Sequence, residues 1–111
     1  PQYVYVLTDD EGNVKYVGRT NDPEVRKYQH DTPSNKYSDD AKVQGRKGLN
    51  MVIVNQNPLS YAEARGLEQA MFENYGELDK LLNKISPVRP ALQDFYKDKV
   101  DWSKVKNIFR R

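Results

Sequence analysis

Cysteine is absent from the 111 residues, which rules out disulfide scaffolds, thiolate metal sites and cysteine nucleophiles. That absence fixes no compartment, because a domain crossing between oxidising and reducing surroundings loses nothing by lacking thiols. Long hydrophobic runs are absent too. No stretch approaches the roughly 20 apolar residues of a membrane-spanning helix, and a mean hydropathy of -0.94 excludes an integral membrane protein. No basic start followed by an apolar stretch marks a secretory signal. The chain opens on Pro1 and not on an initiator Met, as expected of a fragment taken from a longer polypeptide. A strong charge of one sign is also missing: the net charge is +2, too mild to diagnose a nucleic-acid binder by itself.

What is there suits one compact domain over 1–111 with a modest core, at 37% hydrophobic and 31% charged residues. The run Tyr3-Val4-Tyr5-Val6-Leu7-Thr8 is rich in β-branched and aromatic residues and predicts a strand. Turn residues 9–13 and a second strand over 14–19 make it a β-hairpin, with Tyr3, Tyr5 and Leu7 on one face. Asp22-Pro23 opens a short helix to about His30. Residues 31–48 form the longest irregular stretch, a functional loop and the expected place for disorder. The nearly unbroken apolar run 49–54 suits a central buried strand. Ser60-Tyr61-Ala62-Glu63 is a capping box for a helix reaching Tyr75, with Gly76 as its stop. A short helix follows over 77–82, another from Pro90 through Tyr96, and helix-like spacing of Trp102, Val105, Ile108 and Phe109 predicts a helical tail within 90–111.

On the helix from Ser60, Ala64, Leu67, Met71 and Tyr75 make an apolar stripe, and Glu68 borders it or lies within it. A buried, unpaired carboxylate is costly, so this position calls for a partner, a cation or a cleft; otherwise Glu68 leans to water from the stripe's edge. His30 is the only histidine, and Arg26, four residues earlier, shares its helix face. Tyr5 and Tyr16 read as cross-strand aromatics, Asn83 as a helix-terminating residue. Lys36, Lys42, Arg46 and Lys47 fall in one basic stretch. A second one gathers Lys97, Lys99, Lys104, Lys106, Arg110 and Arg111. Each feature alone is compatible with ordinary core or solvated surface.

Their joint spacing resembles the GIY-YIG nuclease family. Tyr3-Val4-Tyr5 stands for the first half-motif and Tyr16-Val17-Gly18 for the second. Arg26 and His30 take the places of the family's arginine and histidine on the following helix. Glu68 fits the metal-binding glutamate, and Asn83 the asparagine some fifteen residues on. The resemblance spans about residues 3–83. The sequence departs in lacking the small first residue of the first half-motif and a second histidine in 31–50. The resemblance implies a small three-stranded antiparallel β-sheet flanked by helices, an α+β fold in the order β-β-α-β-α-α with a helical C-terminal tail.

It further implies phosphodiester hydrolysis in DNA or RNA, with Glu68 holding one Mg²⁺ or Mn²⁺. Tyr5 or Tyr16, or else His30, serves the attacking water, Arg26 meets phosphoryl charge and Asn83 braces the site. Arg19, beside the second half-motif, and Lys36, Lys42, Arg46 and Lys47 are expected to bind the substrate. The segments 59–70 and 83–87 are similar to GIY-YIG domains at the C-termini of bacterial polymorphic toxins of the contact-dependent inhibition and Rhs kinds. That similarity implies a cognate immunity protein and action as a delivered effector in a target-cell cytoplasm, without membrane insertion by this domain; if the domain is not a toxin, it is expected in the cytoplasm. Two rival readings are a non-catalytic nucleic-acid-binding domain, with tyrosines as stacking surfaces, and an interaction module that uses its hairpin edge for strand addition.

Overall fold

The computed structural model describes residues 1–110; Arg111, counted in the C-terminal basic cluster, lies outside them. The hairpin forms as its composition demands. Strand β1 (Tyr3–Thr8) and strand β2 (Val14–Thr20) pair antiparallel with Tyr5 opposite Gly18 and Leu7 opposite Tyr16. The Asp9 carboxylate closes the turn by accepting from the backbone N–H groups of Glu11 and Asn13 at 3.0 and 2.9 Å.

The third strand, β3 (Asn50–Ile53), pairs only with β1, giving the order β2-β1-β3. This corrects the expectation of a central strand at 49–54. The central strand is β1, whose Val4, Tyr5, Val6 and Leu7 are all fully buried. Of the run, only Val54 is buried, with Met51, Val52 and Ile53 half-buried, because the middle of a sheet goes to the strand with two partners and an edge strand is covered less completely.

Helix α1 (Pro23–Asp31) starts at Asp22, whose side chain accepts from the Val25 N–H. The 31–48 stretch is more regular than its composition predicts. It holds a 3₁₀ turn at Asn35–Tyr37 and a helix, α2 (Ala41–Gly45), capped by Asp40. Hydrogen bonds to residues 78, 82 and 83 pin this segment to the rest of the fold, and the Gly48 N–H closes it on the Asp31 carboxylate.

Helix α3 (Tyr61–Asn74) carries the Ser60–Glu63 capping box in both directions. Gly76, at φ 101°, ends that segment in a conformation costly for other residues, and the one-turn helix α4 (Glu77–Lys80) follows. One face of the sheet (Val4, Val6, Val17) packs on Leu67, Met71 and Phe72 of α3. The opposite face carries Tyr5, Leu7 and Tyr16. The fold is therefore α+β, with a three-stranded antiparallel sheet flanked by helices.

The tail is helical where Pro90 opens it, and breaks into short turns where the spacing of Trp102, Val105, Ile108 and Phe109 predicted a helix. A 3₁₀ turn (Pro90–Leu92) leads into α5 (Gln93–Lys97), then two separate 3₁₀ turns (Trp102–Lys104, Asn107–Phe109). Val105 forms an antiparallel bridge to Asn55, and the Lys106 N–H donates to the Val54 carbonyl at 2.9 Å. Val105 and Phe109 are buried in the main core, whereas Ile108 is 79% exposed. Backbone pairing to residues 54–56 overrode helical periodicity. Among the described residues no helix is long and apolar enough to cross a membrane.

Candidate active site

The antiparallel register puts the Tyr5 ring across β2 at Gly18. A Cβ on Gly18 would lie 2.5 Å from the Tyr5 oxygen and 2.8 Å from Cε1 of Tyr16, so this position must lack a side chain for the two rings to settle. Their centroids are 6.0 Å apart and the planes 28° from parallel. Helix α1 comes in over them. Its Arg26 and His30, one turn apart, both reach the Tyr5 phenol: Arg26 Nε donates to Oη at 3.3 Å, and Oη lies 2.7 Å from His30 Nε2. The His30 ring also stands edge-on to Tyr16, 4.8 Å between centroids.

Burial, joined by the charges of Arg26 and Arg46, pushes the His30 pKa down to about 3, so the imidazole is neutral at physiological pH. With Arg26 filling one acceptor position of the phenol oxygen, the Tyr5 hydroxyl proton is free to go to Nε2 of a neutral imidazole. Burial and the neighbouring Tyr16 raise the Tyr5 pKa well above the usual phenol range, against the opposing pull of Arg26. Tyr5 is thus a neutral, fully enclosed hydrogen-bonding hub.

Glu68 lies on the α3 side of the same assembly, its side chain only 12% exposed. Burial raises its pKa to about 7, although Arg19, Arg65 and Arg26 all pull it down. Arg19 Nε sits 3.2 Å from Glu68 Oε1 but lacks the alignment of a hydrogen bond, so the contact is a charge pair. Glu68 lines a cleft of about 420 Å³ with Tyr16, Arg19, Arg46, Asn83 and Lys84. The half-motif tyrosines therefore divide: Tyr16 faces the cleft and Tyr5 stands behind it.

Asn83 pins this wall. Its Oδ1 accepts from the Val17 N–H at 3.1 Å, and its Nδ2 donates to the Val17 carbonyl at 2.8 Å. The Leu82 N–H donates to the Lys15 carbonyl, so residues 82–83 pair with the open edge of β2. Asn83 acts as a clasp for the strand that carries Tyr16.

The basic residues of the 36–47 stretch separate. Arg46 donates from Nε and Nη2 to the Leu82 carbonyl at 3.0 and 2.7 Å, and its guanidinium lies 4.5 Å from the Tyr16 ring centroid. Lys42 Nζ donates to the carbonyls of Leu78 and Asn83, a tie between α2 and the Asn83 segment. Lys36 lies over the Tyr37 ring and Lys47 is exposed; neither lines the Glu68 cleft.

Sequence reasoning missed three members. Lys84 lines the cleft and is anchored to Asp40 at 2.5 Å; its adjacency to Asn83 was the available signal. Arg65, one turn before Glu68, is stacked between Tyr61 and Tyr96. Buried Gln69 accepts from the Val88 N–H and the Ser86 hydroxyl, both at 3.1 Å, shaping the 83–88 rim. No sequence signal marked it, because its partners lie 17 and 19 residues away.

No group of three or more His, Cys, Asp or Glu residues able to hold a metal ion occurs among the described residues. A cation at Glu68 would have one carboxylate, since no other Asp or Glu lines the cleft, and Asn83 Oδ1 already accepts from the Val17 N–H. That donor set fits Mg²⁺, which keeps several waters and relies on one or two carboxylates plus substrate oxygens. It falls short of Zn²⁺, whose catalytic sites take three protein ligands and whose structural sites take four.

No match was found among curated proteins or among solved structures. The family model described as the GIY-YIG catalytic domain matches residues 1–83. That span runs from β1 through Asn83 and takes in both half-motif tyrosines, Arg26, His30 and Glu68. Sheet order, hairpin register and match agree: this chain belongs to the GIY-YIG family, whose catalytic domains are endonucleases.

Proposed function

We propose that the domain is a metal-dependent endonuclease that hydrolyses phosphodiester bonds in DNA or RNA, tRNA included. The observation that carries this reading is a nearly buried carboxylate, Glu68, in one cleft with Tyr16, Arg19 and Arg46. A surface built only to bind phosphate gains nothing from a carboxylate, which repels it. A site that must hold a cation against phosphate needs one.

Glu68 would hold a single Mg²⁺ or Mn²⁺. When bound, the cation supplies positive charge beside the phosphoryl oxygens. Tyr16, the cleft-facing tyrosine, orients the attacking water through its phenol oxygen. Tyr5 and His30 fix the Tyr16 ring from behind, so its position costs no rearrangement during reaction. Arg46 and Arg19 face the phosphate with planar guanidiniums, which suit a spread of negative charge, and Arg26 adds charge from the Tyr5 side.

In the same reading the domain is a toxin module delivered to a target-cell cytoplasm and neutralised by a cognate immunity protein. The similarity of segments 59–70 and 83–87 to toxin tips supports it. Growth arrest on expression in a bacterial host, relieved by Glu68→Ala or by a co-expressed immunity protein, is the expected result.

The test is incubation of the domain with plasmid DNA and, separately, total tRNA, in Mg²⁺, Mn²⁺ or EDTA, beside Glu68→Ala and Arg26→Ala. Cleavage that needs metal and both side chains is expected. Retention of wild-type cleavage by both variants sinks the proposal, and binding without cleavage would favour a non-catalytic nucleic-acid-binding domain.

A further inference from the structure

Next to the Glu68 cleft lies a second concavity, of about 440 Å³, lined among others by Arg26, Tyr28, His30, Ser34, Arg46 and Lys84. Arg46 and Lys84 line both; they form the divide between the two spaces. A phosphate held at Arg46 would therefore lie beside both spaces. We propose that the second concavity receives the base of an unpaired nucleotide adjacent to the scissile phosphate, so that the enzyme acts on single-stranded or extruded nucleotides and not on a continuous duplex. The inference rests on the nuclease reading and deepens it by naming the substrate class.

Size, charge and surface chemistry support it. The volume lies within the range of pockets that enclose small ligands. The ionised side chains of its lining are Arg26, Arg46 and Lys84, all cationic, and no carboxylate is among the lining residues. Cations matched to a backbone, next to aromatic rings, are the recurring make-up of single-strand sites. Tyr28 presents a large ring, 59% exposed, on the turn of α1 just before His30. Tyr37 is used otherwise: Lys36 and Lys84 lie 5.0 and 5.3 Å from its ring centroid, so it props Lys84 at the divide. Ser34 and Gln29 add a hydroxyl and an amide N–H₂ to the lining, able to meet the edge of a base, while the Thr32 hydroxyl donates to the Tyr28 carbonyl. A paired base cannot enter such a space without leaving its stack.

Binding can be read without turnover. Glu68→Gln is titrated with fluorescein-labelled 12-nucleotide single strands of DNA and of RNA, the matching blunt duplexes, and single strands with one abasic site moved along the chain. Tighter binding of single strands than of duplex is expected. One abasic position should weaken binding about tenfold, in the range found for lost base–aromatic stacking. With Tyr28→Ala added, that position-specific loss should vanish while overall binding drops by a similar factor. The DNA and RNA arms tell which sugar the same pocket accepts. Equal affinity for duplex and single strand, or abasic sites without effect at every position, overturns the inference while leaving the nuclease reading intact. Absence of binding to every nucleic acid overturns the nuclease reading, and this inference with it.

Discussion

The Tyr5 phenol and His30 Nε2 lie 2.7 Å apart inside the protein, with Arg26 Nε on the same oxygen at 3.3 Å. Strand β1 and helix α1 thus meet through one hydroxyl. The ring it belongs to is fully buried, so the functional weight of Tyr5 lies in what it holds: the face of Tyr16 that the cleft does not touch.

The His30 relationship has a pH signature. In the unfolded chain the imidazole titrates near its ordinary 6.5, in the fold at about 3. Between those values the unfolded chain binds more protons, so this contribution is present above 6.5 and is lost as pH falls toward 3. Wild type should lose roughly 2 kcal/mol relative to His30→Gln between pH 7 and pH 5, read from urea denaturation at each pH. An unchanged gap would mean that His30 titrates alike in both states.

Glu68 has the opposite sign. Its folded pKa is raised to about 7 from 4.5, so its contribution is complete below 4.5 and lost as pH rises through 7. At pH 8 without divalent metal, Glu68→Gln should melt higher than wild type, because it removes a carboxylate that burial disfavours. Millimolar Mg²⁺ or Mn²⁺ should raise the wild-type Tm and leave the variant's where it was. A metal-induced shift of equal size in both proteins would remove Glu68 from the metal site.

Gly18→Ala tests the packing of the tyrosine pair. The added methyl overlaps the end of the Tyr5 ring, and that ring has no solvent to retreat into. A destabilisation of about 1–3 kcal/mol is expected for such overpacking. Cleavage should fall by about 100-fold or more even well below the melting temperature, as for a displaced catalytic group. Full activity in a folded variant would show that Tyr5 and Tyr16 need not be held in this register.

Asn83→Ala removes both bonds to Val17 and leaves that edge of β2 unpaired at a buried position. The expected cost is about 2–4 kcal/mol, from two buried backbone groups left without partners. Asn83→Asp keeps the acceptor for the Val17 N–H but sets a carboxylate against the Val17 carbonyl, and should be no better. Amide exchange at Val17, slow in wild type, should accelerate in Asn83→Ala at pH and temperature where the rest of β1 and β2 stays protected.

The sequence alone was enough for the local elements with chemical punctuation. The turn at Asp9–Asn13, the Asp22-Pro23 start of α1 and the Ser60–Glu63 capping box each depend on side chains a few residues from the backbone they serve. The candidate set showed as intervals from Tyr5 to Tyr16, Arg26 to His30 and Glu68 to Asn83, and the fold brings Tyr16, Glu68 and Asn83 to one cleft with Tyr5, Arg26 and His30 joined behind it. Tertiary structure decided what depends on partners far along the chain. It made β1 central and β3 an edge, because pairing order is not written in hydropathy. It turned Lys42 toward the carbonyls of Leu78 and Asn83, since unpaired backbone acceptors compete for cations that composition alone assigns to phosphate. It drew Val105 onto Asn55 in place of helix over 102–109, because an extended bridge to residues 54–56 satisfies backbone groups that a short helix leaves open. It also put Tyr16 at the cleft and Tyr5 behind it, a choice that two similar half-motifs leave open and that only the position of α1 against the sheet resolves.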